Sequence, residues 1–143
     1  MGAEAVPAAG GRKITVLVAD DHPVLRHGLA KLLEEQPDIQ VVGEAGDGQM
    51  VIELARKLKP DVVLMDLGLP IINGFEATRQ IVFESPNIRV IGLSMHEEAE
   101  MAESMYKAGA VAYLNKGGPM EPLIAAIRAQ VAEKPLKFSQ HAG

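Results

Sequence analysis

From residue 14 onward the chain alternates between two hydrophobic rhythms. Short aliphatic and β-branched runs recur: "ITVLVAD" (14–20), "IQVVGEA" (39–45), "VVLMDL" (62–67), "IRVIGLS" (88–94) and "VAYLN" (111–115). They are too short for helices and suit strands buried on both faces. Between them lie stretches with apolar residues at helical spacing. After Pro23, a residue suited to a first helical position, come Val24, Leu25, Gly28, Leu29, Leu32 and Leu33. "MVIELARKL" puts Val51, Leu54, Ala55 and Leu58 on one helical face, with Pro60 beyond its end. Asn73-Gly74 turns the chain into "NGFEATRQIVFE", "EEAEMAESMYKAG" stops at Gly109, and "PLIAAIRAQVAE" points Leu123, Ile127 and Val131 inward. Five strands alternating with five helices predict βαβ units, right-handed crossovers and a parallel sheet covered on both faces. That is an α/β three-layer sandwich. One domain is expected over 14–133, after a flexible Ala- and Gly-rich segment (1–13) and before a tail or linker stub (134–143), "KPLKFSQHAG", without a convincing period.

Composition narrows the function. With 48% hydrophobic and 23% charged residues the chain suits a globular fold and not a disordered one. No apolar stretch approaches the roughly 18–20 residues that cross a bilayer, and the N-terminus lacks a secretion signal. Cysteine is absent, which excludes disulfides, thiol catalysis and Cys-based zinc sites and is compatible with the cytoplasm. The net charge of −5, the lack of a basic cluster and the 3% aromatic content argue against nucleic-acid binding by this chain alone.

One residue disturbs the apolar pattern. Asp66 sits in "VVLMDLGLP", where an ionised carboxylate is costly to bury without a partner. In an open parallel sheet, ligands bind outside the carboxyl ends of the strands. Those ends carry Asp20, Asp21 and His22 (first strand), Glu44 (second), Asp66 (third), Ser94 (fourth), and Asn115 with Lys116 (fifth). Singly, each has a bland explanation: Asp20-Asp21-His22-Pro23 could simply cap a helix, Ser94 be a loop hydroxyl and Lys116 a surface charge. Together they form one constellation. Converging carboxylates about 4 Å apart repel by roughly 4 kcal/mol at an effective dielectric near 20, so either their pKa values rise or cations neutralise them. Lys116 supplies one charge, and a hard divalent ion such as Mg²⁺, which takes one or two carboxylates and binds phosphate oxygens, supplies the remainder. One carboxylate then stands as a nucleophile towards phosphorus. His27, His96 and His141 have no metal spacing and read as surface residues.

"VLVADDHPVLRHGLAKLL", "PDVVLMDLGLPIINGFEAT" and "VIGLSMHEEAEMAESMYKAGAVAYLNKG" resemble the receiver domain of bacterial two-component response regulators, from about Ile14 to Glu133. "DDHPVLRHGL" and "LSMHEE" are similar to the NarL/FixJ-type branch, whose members commonly carry a C-terminal helix-turn-helix domain. The resemblance implies a flavodoxin-like fold with strand order 2-1-3-4-5. It implies that Asp66 is the phosphoacceptor. Mg²⁺ would be bound by Asp21 directly, by Asp20 largely through water, and by Asp66 and the Gly68 backbone carbonyl. Lys116 and Ser94 would contact the phosphoryl oxygens, and Tyr113 would be the switch aromatic. The implied partner is a sensor histidine kinase, with a homodimer formed on phosphorylation. The implied output is transcription, through a DNA-binding domain absent from this chain. Such a cytoplasmic module is no classical enzyme, although it catalyses its own Mg²⁺-dependent phosphotransfer and dephosphorylation at Asp66. A phosphohydrolase of the haloacid dehalogenase type would need a second acid where Gly68 stands. A receiver that only docks partners would usually have lost an acid or the lysine.

Overall fold

The computed structural model describes residues 12–95 and 99–142, with residues 99 and 132–142 described as backbone only. Ten elements alternate: β1 (Ile14–Ala19), α1 (Pro23–Glu34), β2 (Ile39–Ala45), α2 (Gly48–Leu58), β3 (Val62–Asp66), α3 (Gly74–Glu84), β4 (Arg89–Ser94), α4 (Ala99–Ala108), β5 (Ala112–Asn115) and α5 (Met120–Ala142). The strands form one parallel sheet in the order β2-β1-β3-β4-β5. This is the α/β three-layer sandwich that the alternation predicts. The chain runs from β1 out to β2, then back past β1 to β3, so the strand order reverses beside β1 and β3. A crevice opens at such a reversal.

β3 lies at the centre, and all five of its residues are buried. Its period of two sends Val63 and Met65 to one face, where they join Val51, Ala55, Ile81 and Met105 from α2, α3 and α4. Val62 and Leu64 go to the other face, against Leu33 of α1 and Leu123 and Ile127 of α5. α1 begins at Pro23, as the sequence predicts, but it buries only part of its apolar spacing. Of its apolar residues, Leu33 is buried and Leu29 partly so, whereas Val24, Leu25 and Leu32 are exposed. The six apolar positions span more of the helix circumference than one sheet face can cover.

The helix ends show local causes. Asp47 caps α2 by accepting from the Met50 N–H at 2.7 Å, and Asn73 caps α3 by accepting from the Glu76 N–H at 2.9 Å. α4 stops at Gly109, whose φ of +119° suits glycine and whose N–H reaches back to the Met105 carbonyl. α5 continues as helical backbone to Ala142, past the Glu133 where its apolar spacing ends. Lys134, Leu136 and Lys137 are good helix formers, although Pro135 withholds one donor. Bidentate ion pairs tie elements together, Arg128 to Asp38 and Arg56 to Glu84. Among the described residues no helix is long and apolar enough to cross a membrane. The expectations for residues 1–11, for His96 and for the His141 side chain lie outside what is described.

Candidate functional site

Pairing register brings the chemistry together. Ala19 is the partner of Met65, so Asp20 leaves β1 beside Asp66 at the end of β3. Asp66 pairs with Leu93, which places Ser94 one residue further along the neighbouring strand. Ser94 pairs with Asn115, and the Lys116 N–H donates to the Ser94 carbonyl at 2.8 Å. Four strand ends thus converge on one crevice, as the sequence led us to expect.

Lys116 is at its centre. Its side chain is 4% exposed, and its Nζ lies 2.8 Å from Asp20 Oδ2 and 3.4 Å from Asp66 Oδ2. Burial alone would lower the Lys116 pKa, but the hydrogen bond to Asp20 and the charges of Asp66 and Asp20 outweigh it and hold the ammonium protonated. Asp20 is also buried, which pushes its carboxyl up. Bonds from Lys116 and from the His22 N–H and ring bring it below the usual carboxylate range instead. Asp66 goes the other way. Burial raises its pKa, Lys116 opposes that, and the neighbouring Asp20 charge adds to the rise. The two carboxylates share one ammonium unequally, and Asp66 is left under-compensated.

Asp21 stands at the rim. Oδ1 atoms of both Asp20 and Asp21 lie 3.0 Å from His22 Nδ1. Ligand atoms of Asp20, Asp21, His22 and Asp66 all fall within 4.8 Å of one another. Excess negative charge, a raised Asp66 and a compact set of oxygen donors fit a hard divalent cation. The helix-cap explanation does not hold for the acid pair: α1 has His22 at its N-cap, with no side-chain cap, and Asp20 accepts from the His22 N–H outside the helix.

Two glycines shape the loop after β3. A Cβ on Gly74 would strike the Asp66 backbone carbonyl, so α3 can start hard against the end of the strand only with glycine there. A Cβ on Gly68 would meet nothing within 4 Å, so Gly68 borders open space. Between them Ile71 adopts φ +71°, and the Ile72 N–H donates to the Pro70 carbonyl at 2.8 Å. This is a γ-turn of the strained, positive-φ kind. Tyr113 is half-buried against the core and beside its register partner Gly92, whose missing side chain gives the ring and Met105 their room.

Glu44 does not join the cluster. It accepts from Arg26 Nε at 2.9 Å and lies 2.6 Å from Nδ1 of His27, which is exposed at the surface as expected. Sequence reasoning named His22 without giving it a task and passed over Arg26. One signal for Arg26 was available: a cation in the first turn of a helix opposes the helix dipole and calls for a local anion.

A twisted parallel sheet of this order, with acids, a hydroxyl-bearing strand end and a buried lysine at the switch point, defines the receiver class of α/β signalling domains. The chain belongs to that family: residues 16–128 match the model of the response regulator receiver domain. It is 44% identical over 115 residues to the response regulator GacA of Pseudomonas aeruginosa, covering 80% of this chain and 54% of that protein. It is 42% identical over 130 residues to the transcriptional regulatory protein LiaR of Bacillus subtilis, covering 91% and 62%. The chain therefore spans between about half and two-thirds of the length of these relatives. Among solved structures, a LuxR-family two-component response regulator from Aurantimonas aligns with TM-score 0.80 and 36% identity, over 85% of this chain and 86% of that one. The receiver domain of the response regulator NarL from Mycobacterium tuberculosis aligns with TM-score 0.79 and 30% identity, over 82% and 95%. These similarities support the NarL/FixJ-type branch.

Proposed function

We propose that this receiver is a phosphorylation switch in which Asp66 takes a phosphoryl group from the histidine of a sensor kinase. The observation that carries the reading is the Lys116 ammonium shared between Asp20 and Asp66, with Asp21 and His22 at the same cluster. A carboxylate under-compensated by its surroundings remains available to attack phosphorus, and the bond from phosphorus to the histidine nitrogen breaks in line with that attack. Asp20, Asp21, Asp66 and the Gly68 carbonyl would hold Mg²⁺. When bound, the ion neutralises charge on the phosphoryl oxygens. Lys116, already protonated, donates to one of those oxygens without a further proton transfer. Ser94, at the adjacent strand end, donates to another. In dephosphorylation water attacks phosphorus and the bond from phosphorus to the Asp66 oxygen breaks, with Gly68 adding no side chain of its own to shield the site.

The phosphate adds close to two negative charges. Drawing Ser94 inward frees space into which Tyr113 turns, and the surface of α4, β5 and α5 changes with it. That is a two-state equilibrium biased by phosphate. Residues 14–133 form the switch, 1–13 lead into it, and 134–143 connect it to an output. GacA is named a response regulator and LiaR a transcriptional regulatory protein. By analogy the output here is transcription through a DNA-binding domain, with homodimerisation as the step between, in the cytoplasm. The test is thermal melting with and without Mg²⁺. Mg²⁺ should raise the melting temperature of the unaltered chain, and Asp21→Ala should abolish that rise. An unchanged rise in the variant would refute the metal site.

A further inference from the structure

We propose that Arg26 is a positioning residue for the divalent cation: its guanidinium holds the peptide that joins Asp20 to Asp21. The inference rests on reading the acid cluster as a Mg²⁺ site, and it adds a residue that touches neither the ion nor the phosphoryl group.

Arg26 Nη1 donates to the Asp20 backbone carbonyl at 2.8 Å, while its Nε donates to Glu44 at 2.9 Å. The Asp20 carbonyl belongs to the peptide shared by the two acids. β1 ends at Ala19, so this carbonyl lies beyond the regular ladder, and the guanidinium takes the place of a strand partner. On its other side, the Asp20 N–H donates to the Ala45 carbonyl at 3.0 Å. The two peptides that flank the Asp20 Cα are therefore each pinned, the one before it by Ala45 and the one that leads to Asp21 by Arg26. Rotation of that peptide would swing Asp21 relative to Asp20, and Mg²⁺ tolerates little departure from octahedral geometry.

Neighbouring features are arranged around this contact. Arg26 lies in the first turn of α1, where the helix dipole disfavours a cation and where no acid of the helix answers it. Glu44 supplies the anion, which accounts for its absence from the metal cluster. A Cβ on Gly46 would stand 3.2 Å from Arg26 Nη1, so glycine leaves the guanidinium its space. The side chain is 16% exposed and makes both contacts at once. Its planar fork serves a carbonyl and a carboxylate together, whereas a lysine ammonium is a single point of charge.

The test is calorimetric titration of Mg²⁺ into the whole chain and into Arg26→Met, Arg26→Lys and Glu44→Gln. Loss of a residue that orients metal ligands typically weakens metal binding about 10–100-fold, and Arg26→Met should fall in that range. Arg26→Lys keeps the charge and should still bind at least several-fold more weakly. Glu44→Gln leaves the Asp20 contact in place and should change affinity less than about threefold, well short of that range. At saturating Mg²⁺, labelling of Arg26→Met by acetyl phosphate should return towards the unaltered rate, because Arg26 touches no reacting atom. A purely structural role would lower the melting temperature equally in EDTA and in Mg²⁺ and leave the Mg²⁺ affinity alone, which overturns the proposal. Should Arg26→Met fail to fold, unaltered Mg²⁺ affinity in Arg26→Lys overturns it just as firmly. No Mg²⁺ binding by the unaltered chain would overturn the metal-site reading and this inference together, whereas unchanged affinity in the variants overturns this inference alone.

Discussion

Replacing Lys116 with Met removes the ammonium that lies 2.8 Å from Asp20 and 3.4 Å from Asp66. At an effective dielectric of about 20 those attractions amount to roughly 6 and roughly 5 kcal/mol. Dehydrating the lysine offsets several kcal/mol of this. What remains after the change is two carboxylates in a buried crevice with their shared cation gone, and breaking such a buried pair typically costs about 3–5 kcal/mol. We expect Lys116→Met to lose that much stability in metal-free buffer at neutral pH. The pH dependence has a definite sign. The raised Lys116 pKa makes its contribution complete below the unfolded lysine value of about 10.4, and the contribution fades as pH rises through the folded value. Asp20, held low, contributes above the unfolded aspartate value of about 3.9 and loses that contribution as pH falls through its folded value. Without Lys116 both carboxylates move upward and take up protons in the folded state, so the variant's deficit should shrink on acidification. Urea denaturation in EDTA at neutral pH and again at about pH 4.5 reads both quantities. A loss below about 1 kcal/mol, as for an exposed pair, or a deficit that does not change with pH, would refute the reasoning.

Two further changes should stabilise the fold. Thr78 on α3 is fully buried and its Oγ1 has no hydrogen-bond partner among the described residues, so Thr78→Val, which keeps the shape and removes the hydroxyl, should gain about 1 kcal/mol in urea denaturation; a loss would mean that the hydroxyl is satisfied. Ile71 is 73% exposed at φ +71° in a strained γ-turn, and such sparsely populated backbone costs roughly 1–3 kcal/mol, so Ile71→Gly should raise the melting temperature, and an unchanged or lower value would show that the turn is unstrained.

The periodicities carried most of the fold. β3 could be read from "VVLMD" because a strand buried on both faces has no polar positions, and the alternation with helices left one class of sheet. The cluster was legible for a related reason: a parallel sheet sends every strand's carboxyl end to one edge, so Asp20, Asp21, Asp66 and Lys116 could be collected from the order of the strands. Glu44 is the penultimate residue of β2, in register with Val18 on the α1 face, so its side chain meets Arg26 and His27 of α1; the irregularity that shifts the β1–β2 register before it has no sequence signal. The helix after Pro23 was legible from its spacing, but which of its six apolar positions are buried was not, and the hydrogen bond from Arg26 to the Asp20 carbonyl has no sequence signature. The positive φ of Ile71 had no sequence signal, since a β-branched residue is a poor choice there and its neighbours impose the turn.

The central claim is that Asp66 is the phosphoacceptor. Peptide mass spectrometry after incubation with acetyl phosphate and Mg²⁺ addresses it most directly. The account predicts one phosphoryl group on Asp66, released by hydroxylamine as an acyl phosphate should be, lost when EDTA replaces Mg²⁺, and absent from Asp66→Asn. Stoichiometric labelling that persists in Asp66→Asn, or that maps to a residue other than Asp66, would contradict it.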